Sequence, residues 1–299
     1  MTLPAVRSFF ASALVFLAAC ICSAAPERPE RALEILATFD YPGASSTTAG
    51  GINQRGDVAG EFTDITSAHA YIRFKNGTFS PPLTDPNDSQ GQTAGADING
   101  SSLVGYYFDL TNLVFHSFLY TERMFTSLDI AGATSTAVLG LNSAGDYSGQ
   151  VNDGSGVTQG LINSAGQLTE FAIPGASFTS ANAINDFGSV AGVYQLADTG
   201  ESHGFVRDVS GNFTYPIDYP GGTSTIPRGI NSSGWIVGSY VDTQLVQHGF
   251  LFRPPDRFVS YTYPDSTSTT LEGINDRAQT CGQYTDTAGV RHAFIARIR

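Results

Sequence analysis

Five histidines occur in the 299-residue chain, and each follows an aspartate by five to seven positions. The pairs are Asp64 with His69, Asp109 with His116, Asp198 with His203, Asp242 with His248 and Asp286 with His292. A carboxylate beside an imidazole is the chemistry of an oriented general base, which serves catalysis when one such pair stands next to one nucleophile or substrate pocket. Here the pair recurs, and a sixth position carries Asp153 with Gln159. A single catalytic centre does not need five copies of itself. An amide can replace an imidazole as a hydrogen-bonding group but cannot replace it as a base. The pairs are therefore expected to be structural, with the Asp in a turn, the His opening the next strand and a hydrogen bond tying the two. Histidines spread one to a repeat stand too far apart to share one ion. The aspartate turns could attract Ca2+, but they match no dense oxygen-ligand loop, and no cofactor is expected. Neither H-E-x-x-H nor G-x-x-x-x-G-K-[ST] occurs.

The recurrence extends beyond these pairs. Asn53, Asn99, Asn142, Asn185, Asn231 and Asn275 each follow Ile or Leu, at intervals of 46, 43, 43, 46 and 44 residues. Each is preceded by a corner of Pro-Gly type (YPGAS at 41, DPNDS at 85, IAGAT at 130, IPGAS at 173, YPGGT at 219, YPDST at 263). Each is followed by an interior glycine: Gly60, Gly105, Gly149, Gly192, Gly238 or Gly282. Each copy reads as four strands. The first ends at the corner, and a very short second strand such as RGIN follows a Ser/Thr-rich loop. Asn-x-x-Gly then makes a hairpin turn, from which copies two (NGSS) and six (NDRA) depart. The third strand alternates with period two, its glycine marking close backbone approach between sheets, and the fourth is a buried run such as HGFLF.

Four strands in about 44 residues is the size of a propeller blade. The expected fold is all-β: a six-bladed β-propeller of four-stranded antiparallel blades, in which the outer strand of each blade comes from the following copy. The last copy, ending RHAFIARIR, then lacks an outer strand, and ALEILATFDY at residues 32–41 has no blade before it. Pairing the N-terminal strand with the C-terminal strand closes the ring and removes an exposed edge. An open solenoid would require atypical terminal repeats, which are not seen. One domain spans 33–299, with repeats near 36–80, 81–125, 126–168, 169–213, 214–258 and 259–299.

The G-I-N, G-x-Y-x-D and H-(G/A)-F elements, the last present literally as His292-Ala293-Phe294, resemble the HAF-type extracellular repeat family. The likeness covers residues 36–299 and implies a secreted, β-propeller-like protein of the kind found among bacterial surface and exported proteins.

The first 24 residues read as a secretory signal, with Arg7 before the apolar run from Phe9 to Cys22, and residues 25–32 read as a linker. Leu17-Ala18-Ala19-Cys20 also resembles a lipobox, so the mature chain is expected outside the cytoplasm, either free or lipid-anchored through Cys20. Beyond the leader only Cys281 remains, aligned with small residues of the other copies and expected to be packed. The net charge is −12, with a single lysine. By charge, nucleic acid is not expected as a partner, no transmembrane helix is expected after the leader, and a monomer is expected.

Function should appear where the repeat breaks symmetry. Three positions before each Asn stand Gly50, Ala96, Leu139, Asn182, Arg228 and Glu272. These are read as lying at the loop mouth of the central channel, with Asp97 adding an acid. Asp97, Asn182, Arg228 and Glu272 are the candidate ligand-binding residues, although Arg228 and Glu272 could simply pair with each other. The expected role is a non-enzymatic binding scaffold for a carbohydrate or protein partner. The alternative is a propeller-type hydrolase or lyase at the channel mouth, with or without a metal.

Overall fold

The computed structural model describes residues 33–299; the signal segment, the Cys20 lipobox and the linker to residue 32 lie outside the described residues. The described chain forms strands and no helices. Strand β1 (Leu33–Phe39) comes first, followed by β2 (Ser46–Ile52), β3 (Val58–Thr63) and β4 (Ala68–Arg73). Next are β5 (Thr93–Asn99), β6 (Ser102–Asp109), β7 (Val114–Thr121) and β8 (Met124–Ser127), then β9 (Ser135–Leu141), β10 (Tyr147–Asn152), β11 (Thr158–Ser164) and β12 (Gln167–Phe171). They are followed by β13 (Ala176–Ile184), β14 (Val190–Leu196), β15 (Ser202–Arg207) and β16 (Phe213–Ile217), and by β17 (Ser224–Ile230), β18 (Ile236–Val241), β19 (Gln247–Arg253) and β20 (Arg257–Tyr261). The last are β21 (Ser268–Ile274), β22 (Gln279–Thr285) and β23 (Arg291–Ile298).

Within each ladder sequential strands pair antiparallel, and among the described residues no sheet closes on itself. The ladder β9 to β12 is joined to the ladder β13 to β16 by one parallel bridge, Thr158 to Phe178. Beside β4 the outer position is held by two isolated bridges, Ala70 to Leu83 and Arg73 to Phe79. The final sheet has the order β1-β23-β22-β21, with Leu33 opposite Ile298 and Phe39 opposite Ala293. The first strands of the ladders touch in succession (β2, β5, β9, β13, β17, β21), and β21 also touches β2.

Buried side chains fill the spaces between neighbouring sheets. Ala49, Ile52 and Val58 pack with Cys281, Ala293 and Ile295 of the last sheet, and Leu33 packs with Phe294, Ile298, Val237 and Leu251. Cys281 is fully enclosed, and this burial pushes its thiol pKa up, as expected of a packing residue.

Three expectations are corrected. The strand ending in RGIN is not very short, because the Ser/Thr stretch belongs to it; β17 has seven residues and β13 nine. The reason lies six positions before each Asn, where Thr47, Thr93, Thr136, Thr179, Thr225 and Thr269 are buried. Each threonine Oγ1 accepts the backbone N–H of a corner residue (Tyr41, Asp85, Ile130, Ile173, Tyr219 or Tyr263) at 2.9–3.2 Å. Strand and corner are thereby locked together. Thr225→Val keeps the shape but strands the Tyr219 N–H, and a loss of about 1–3 kcal/mol is expected, read from the urea midpoint; an unchanged midpoint would show that the bond contributes nothing.

Second, the interior glycines mark close approach within a sheet rather than between sheets. A side chain at Gly192 would strike the Ser180 carbonyl on the neighbouring strand and the Phe205 ring, and one at Gly238 would strike Ile226 and Phe250 in the same way. Third, copy six does not depart from the turn. Ala278 takes the left-handed conformation (φ 55°) that glycine takes elsewhere, and Asn275 Oδ1 accepts the N–H groups of Arg277 and Gln279. Asn53, Asn142, Asn185 and Asn231 cap their own turns in the same way. Their Nδ2 groups then reach across to the next copy: Asn142 to the Asn185 carbonyl, Asn185 to Asn231, Asn231 to Asn275 and Asn275 back to Asn53.

Candidate functional site

The histidines open β4, β7, β15, β19 and β23, close to the ends of these strands, but their constant partner is not the paired aspartate. In every case Nδ1 meets the residue just before a corner: His69 with Thr84 (2.7 Å), His116 with Asp129 (2.8 Å), His203 with Asp218 (2.8 Å), His248 with Thr262 (2.8 Å) and His292 with Asp40 (2.9 Å). The predicted bond is present between His248 and Asp242 (3.0 Å) and, longer, between His292 and Asp286 (3.4 Å); Asp64 stands 3.6 Å from His69. Among the described residues no such bond joins Asp109 to His116, Asp198 to His203 or Asp153 to Gln159. Asp64, Asp109, Asp153, Asp242 and Asp286 also cap their own hairpins by accepting backbone N–H groups. Hydrogen bonds hold these carboxyls below the usual range, led by the Thr66 N–H at Asp64, the Asn112 side chain at Asp109, the Ser155 side chain at Asp153, His248 at Asp242 and the Val290 N–H at Asp286. A signal for the true partner was present: the copy that has Gln159 for His also has Ala172 where the others have Asp or Thr.

The axial position is corrected as well. Gly50, Ala96, Leu139, Asn182, Arg228 and Glu272 lie at neither a loop nor a mouth. Each falls where the pairing register of its strand slips, between Ala49 and Gly51, Gly95 and Asp97, Ser180 and Ala183, Pro227 and Gly229, and Leu271 and Gly273, and at the Ser148/Gly149 shift opposite β9. A β-bulge re-aims the extra residue, and here six bulges turn the same column of the repeat toward the axis. These six residues line both a cavity reaching the Asn turns and a second cavity of about 250 Å3 on the corner side, so they form the neck between the two.

Asp97, Asn182 and Arg228 each make a contact across to the next copy, and Glu272 is the partner that Arg228 reaches. Asp97 Oδ2 accepts the Leu141 N–H (3.0 Å), and Oδ1 accepts the Ile98 N–H (2.8 Å). Asn182 Nδ2 donates to the Pro227 carbonyl (2.7 Å), and Arg228 Nη1 stands 3.4 Å from Glu272 Oε2. Burial raises the pKa of Asp97 to about 7 against the lowering by its two N–H donors, and raises Glu272 to about 7 although Arg228 opposes it. Arg228 keeps a buried Nε with no protein partner.

A second column bears on the site and was not singled out from the sequence. The residue after each interior glycine is Glu61, Tyr106, Gln150, Val193, Ser239 or Gln283. Glu61, Tyr106 and Gln283 line the corner-side cavity together with Arg291. Tyr106, Gln150 and Val193 line an adjoining hollow of about 330 Å3 with Phe115 and Phe178. Desolvation raises the Glu61 carboxyl, partly offset by Arg291, and pushes the Tyr106 phenol up to about 12. Reading the copies column by column would have exposed this ring, since glycine is constant there and its neighbour is not. Among the described residues no group of three or more His, Cys, Asp or Glu side chains is arranged to hold a metal ion, and no helix is long and apolar enough to cross a membrane.

No family model and no curated protein matches the chain. Among solved structures it is similar to TolB from Acinetobacter baumannii, at 12% identity over 84% of this chain and 55% of that one, with a TM-score of 0.47. It is similar to a candidate TolB from Agrobacterium tumefaciens at 11% identity, over 85% and 91% of the two chains, with a TM-score of 0.58. It is also similar to the Aleuria aurantia lectin bound to Fucα1-6GlcNAc, a six-bladed β-propeller, at 10% identity over 84% and 91%, with a TM-score of 0.50. The chain spans little more than half the length of the Acinetobacter protein. At these identities the likeness establishes the fold alone, a β-propeller.

Proposed function

We propose that this chain is an exported propeller of the HAF-repeat kind, six-bladed and closed by β1, and that it acts as a non-enzymatic binding scaffold with its site on the axis. One contrast carries the reading. The residues that recur through the copies, the histidine in five of the six, are engaged in struts: threonine to corner, asparagine to next copy, histidine to the residue before a corner. The two columns that face the axis differ from copy to copy and hold the polar groups left over. A recurring residue supports a recurring structure, whereas a single ligand is recognised by what differs around it. The fold itself is compatible with several roles, so the argument rests on the site and not on the neighbours.

The test is a thermal-shift screen of the purified protein against neutral and acidic oligosaccharides, amino acids, organic amines and divalent metals. At least one compound is expected to raise the melting temperature. The double variant Arg228→Ala with Glu272→Ala should lose that rise while its own melting temperature stays within about 4 °C of the parent, since only one long, partly exposed ion pair is removed. A hit that survives the double substitution places the site elsewhere and sinks the axial reading.

A further inference from the structure

Within the axial channel, spare hydrogen-bonding capacity is concentrated on the corner side of the neck. Among the described residues the side chains of Glu61, Gln150, Gln283 and Arg291 make no hydrogen bond or ion pair, and the buried Gln283 Oε1 and Arg228 Nε lack any partner. Buried polar atoms without partners are rare and call for explanation. The groups also balance: the guanidinium groups of Arg228 and Arg291 share the cavity with the carboxyls of Glu61 and Glu272. Against this polar side stands an aromatic one. Tyr106, Phe115 and Phe178 are half-buried in the adjoining hollow, which shares Tyr106, Leu139, Asn182 and Arg228 with the cavity.

These two sides restrict what can bind. An anion would meet Glu61 and Glu272, and a cation would meet Arg228 and Arg291, so net charge on the ligand is penalised either way. The wall offers donors from guanidinium groups, acceptors from carboxyls, and both from the amides of Gln150 and Gln283. A partner must therefore accept and donate at closely spaced points, as vicinal hydroxyls do, while laying an apolar C–H face on aromatic rings. We infer that the corner-side funnel of the axial channel is a carbohydrate site for a neutral oligosaccharide, bound with its hydroxyls toward Glu61, Gln283 and Arg228 and a ring face toward Phe115 and Phe178. This rests on the axial reading above and adds to it the class of ligand. The hollows of about 250 and 330 Å3 suit a few sugar units on the scale of small-molecule sites, about 300–1,000 Å3.

The experiment is saturation-transfer NMR on the purified protein with maltotriose, cellotriose, xylotriose, mannotriose and chitotriose. Glucuronate, spermidine and phenylalanine serve as charged and zwitterionic counterparts. At least one neutral sugar is expected to bind, with its affinity lowered tenfold or more by Phe178→Ala and by Gln283→Leu and unchanged by Gln244→Ala on an exposed hairpin. The two test positions lie on different strands, so a folding defect in one variant, visible as a lowered melting temperature, leaves the other informative. If no trisaccharide binds but a charged probe does, and the Arg228/Glu272 double variant abolishes it, the carbohydrate assignment falls and the axial reading stands. If a sugar binds and none of these substitutions weakens it, both fall. If none of the eight probes binds, the carbohydrate assignment is overturned.

Discussion

Deleting residues 33–39 should collapse the cooperative unfolding of the whole chain, and not merely trim one edge. Strand β1 supplies the outer ladder of the last sheet, and its Leu33 is buried against Phe294 and Ile298. Burial of one such side chain is worth about 1.5–3 kcal/mol, and removing the strand also uncovers the residues it covers. Set against a total stability of about 5–15 kcal/mol, the loss is a large fraction. Because the last sheet also packs on the first through Cys281, Ile295 and Val58, loosening it frees both neighbours. The truncated protein is expected to lose its sharp melting transition and to expose a sheet edge that self-associates. A synthetic peptide of residues 33–41 added in trans should restore part of the transition. A truncated chain that melts with the parent's midpoint and cooperativity would contradict the role assigned to β1.

The second large effect is a dependence of stability on pH that runs opposite to ordinary acid unfolding. Asp97 and Glu272 titrate at about 7 in the folded chain, above the usual 3.8 and 4.5. A carboxyl whose pKa is raised by folding holds its proton more tightly when folded, so stability from these two groups is greatest below pH 4 and declines as pH rises through about 7. At pH 8 each is expected to cost on the order of 3 kcal/mol relative to its protonated state. Asp97→Asn should raise the unfolding free energy at pH 8 by about 1–3 kcal/mol and flatten the slope between pH 5 and 8, because an amide oxygen still accepts one of the two N–H groups without carrying charge. Glu272→Gln should act in the same direction but less, since it also dissolves the contact with Arg228. Urea titrations at pH 5 and pH 8 read both effects, and a parent protein more stable at pH 8 than at pH 5, with Asp97→Asn unchanged, would refute the assignment. The exposed aspartates of the hairpins have lowered values and work in the other direction, and their influence is confined to lower pH.

Near-equivalence of the copies made the strand plan legible. Pro-Gly corners, Asn turns and interior glycines are local chemistry, fixed by which residues tolerate positive φ or close packing, and they appear at the same offset each time. Local chemistry also misled where partners were guessed from sequence proximity. Asp242 and His248 do bond, yet the histidine's constant partner is a corner residue 13 to 15 positions further along the chain, or 252 positions away for His292 and Asp40. Arg228 and Glu272 do meet, but on bulges inside the channel, and nothing in the one-dimensional pattern announces a slipped register.

From the order of its residues alone, this chain reads as a repeated unit of short antiparallel strands. That much follows because each unit leaves an apolar face and an edge that only its neighbours can cover. Which side chains look down the axis, which of them are already partnered and which retain hydrogen-bonding capacity was decided only when the sheets packed. A bulge and a neighbouring carbonyl, not the identity of a residue, determine whether a buried polar group is a strut or a site.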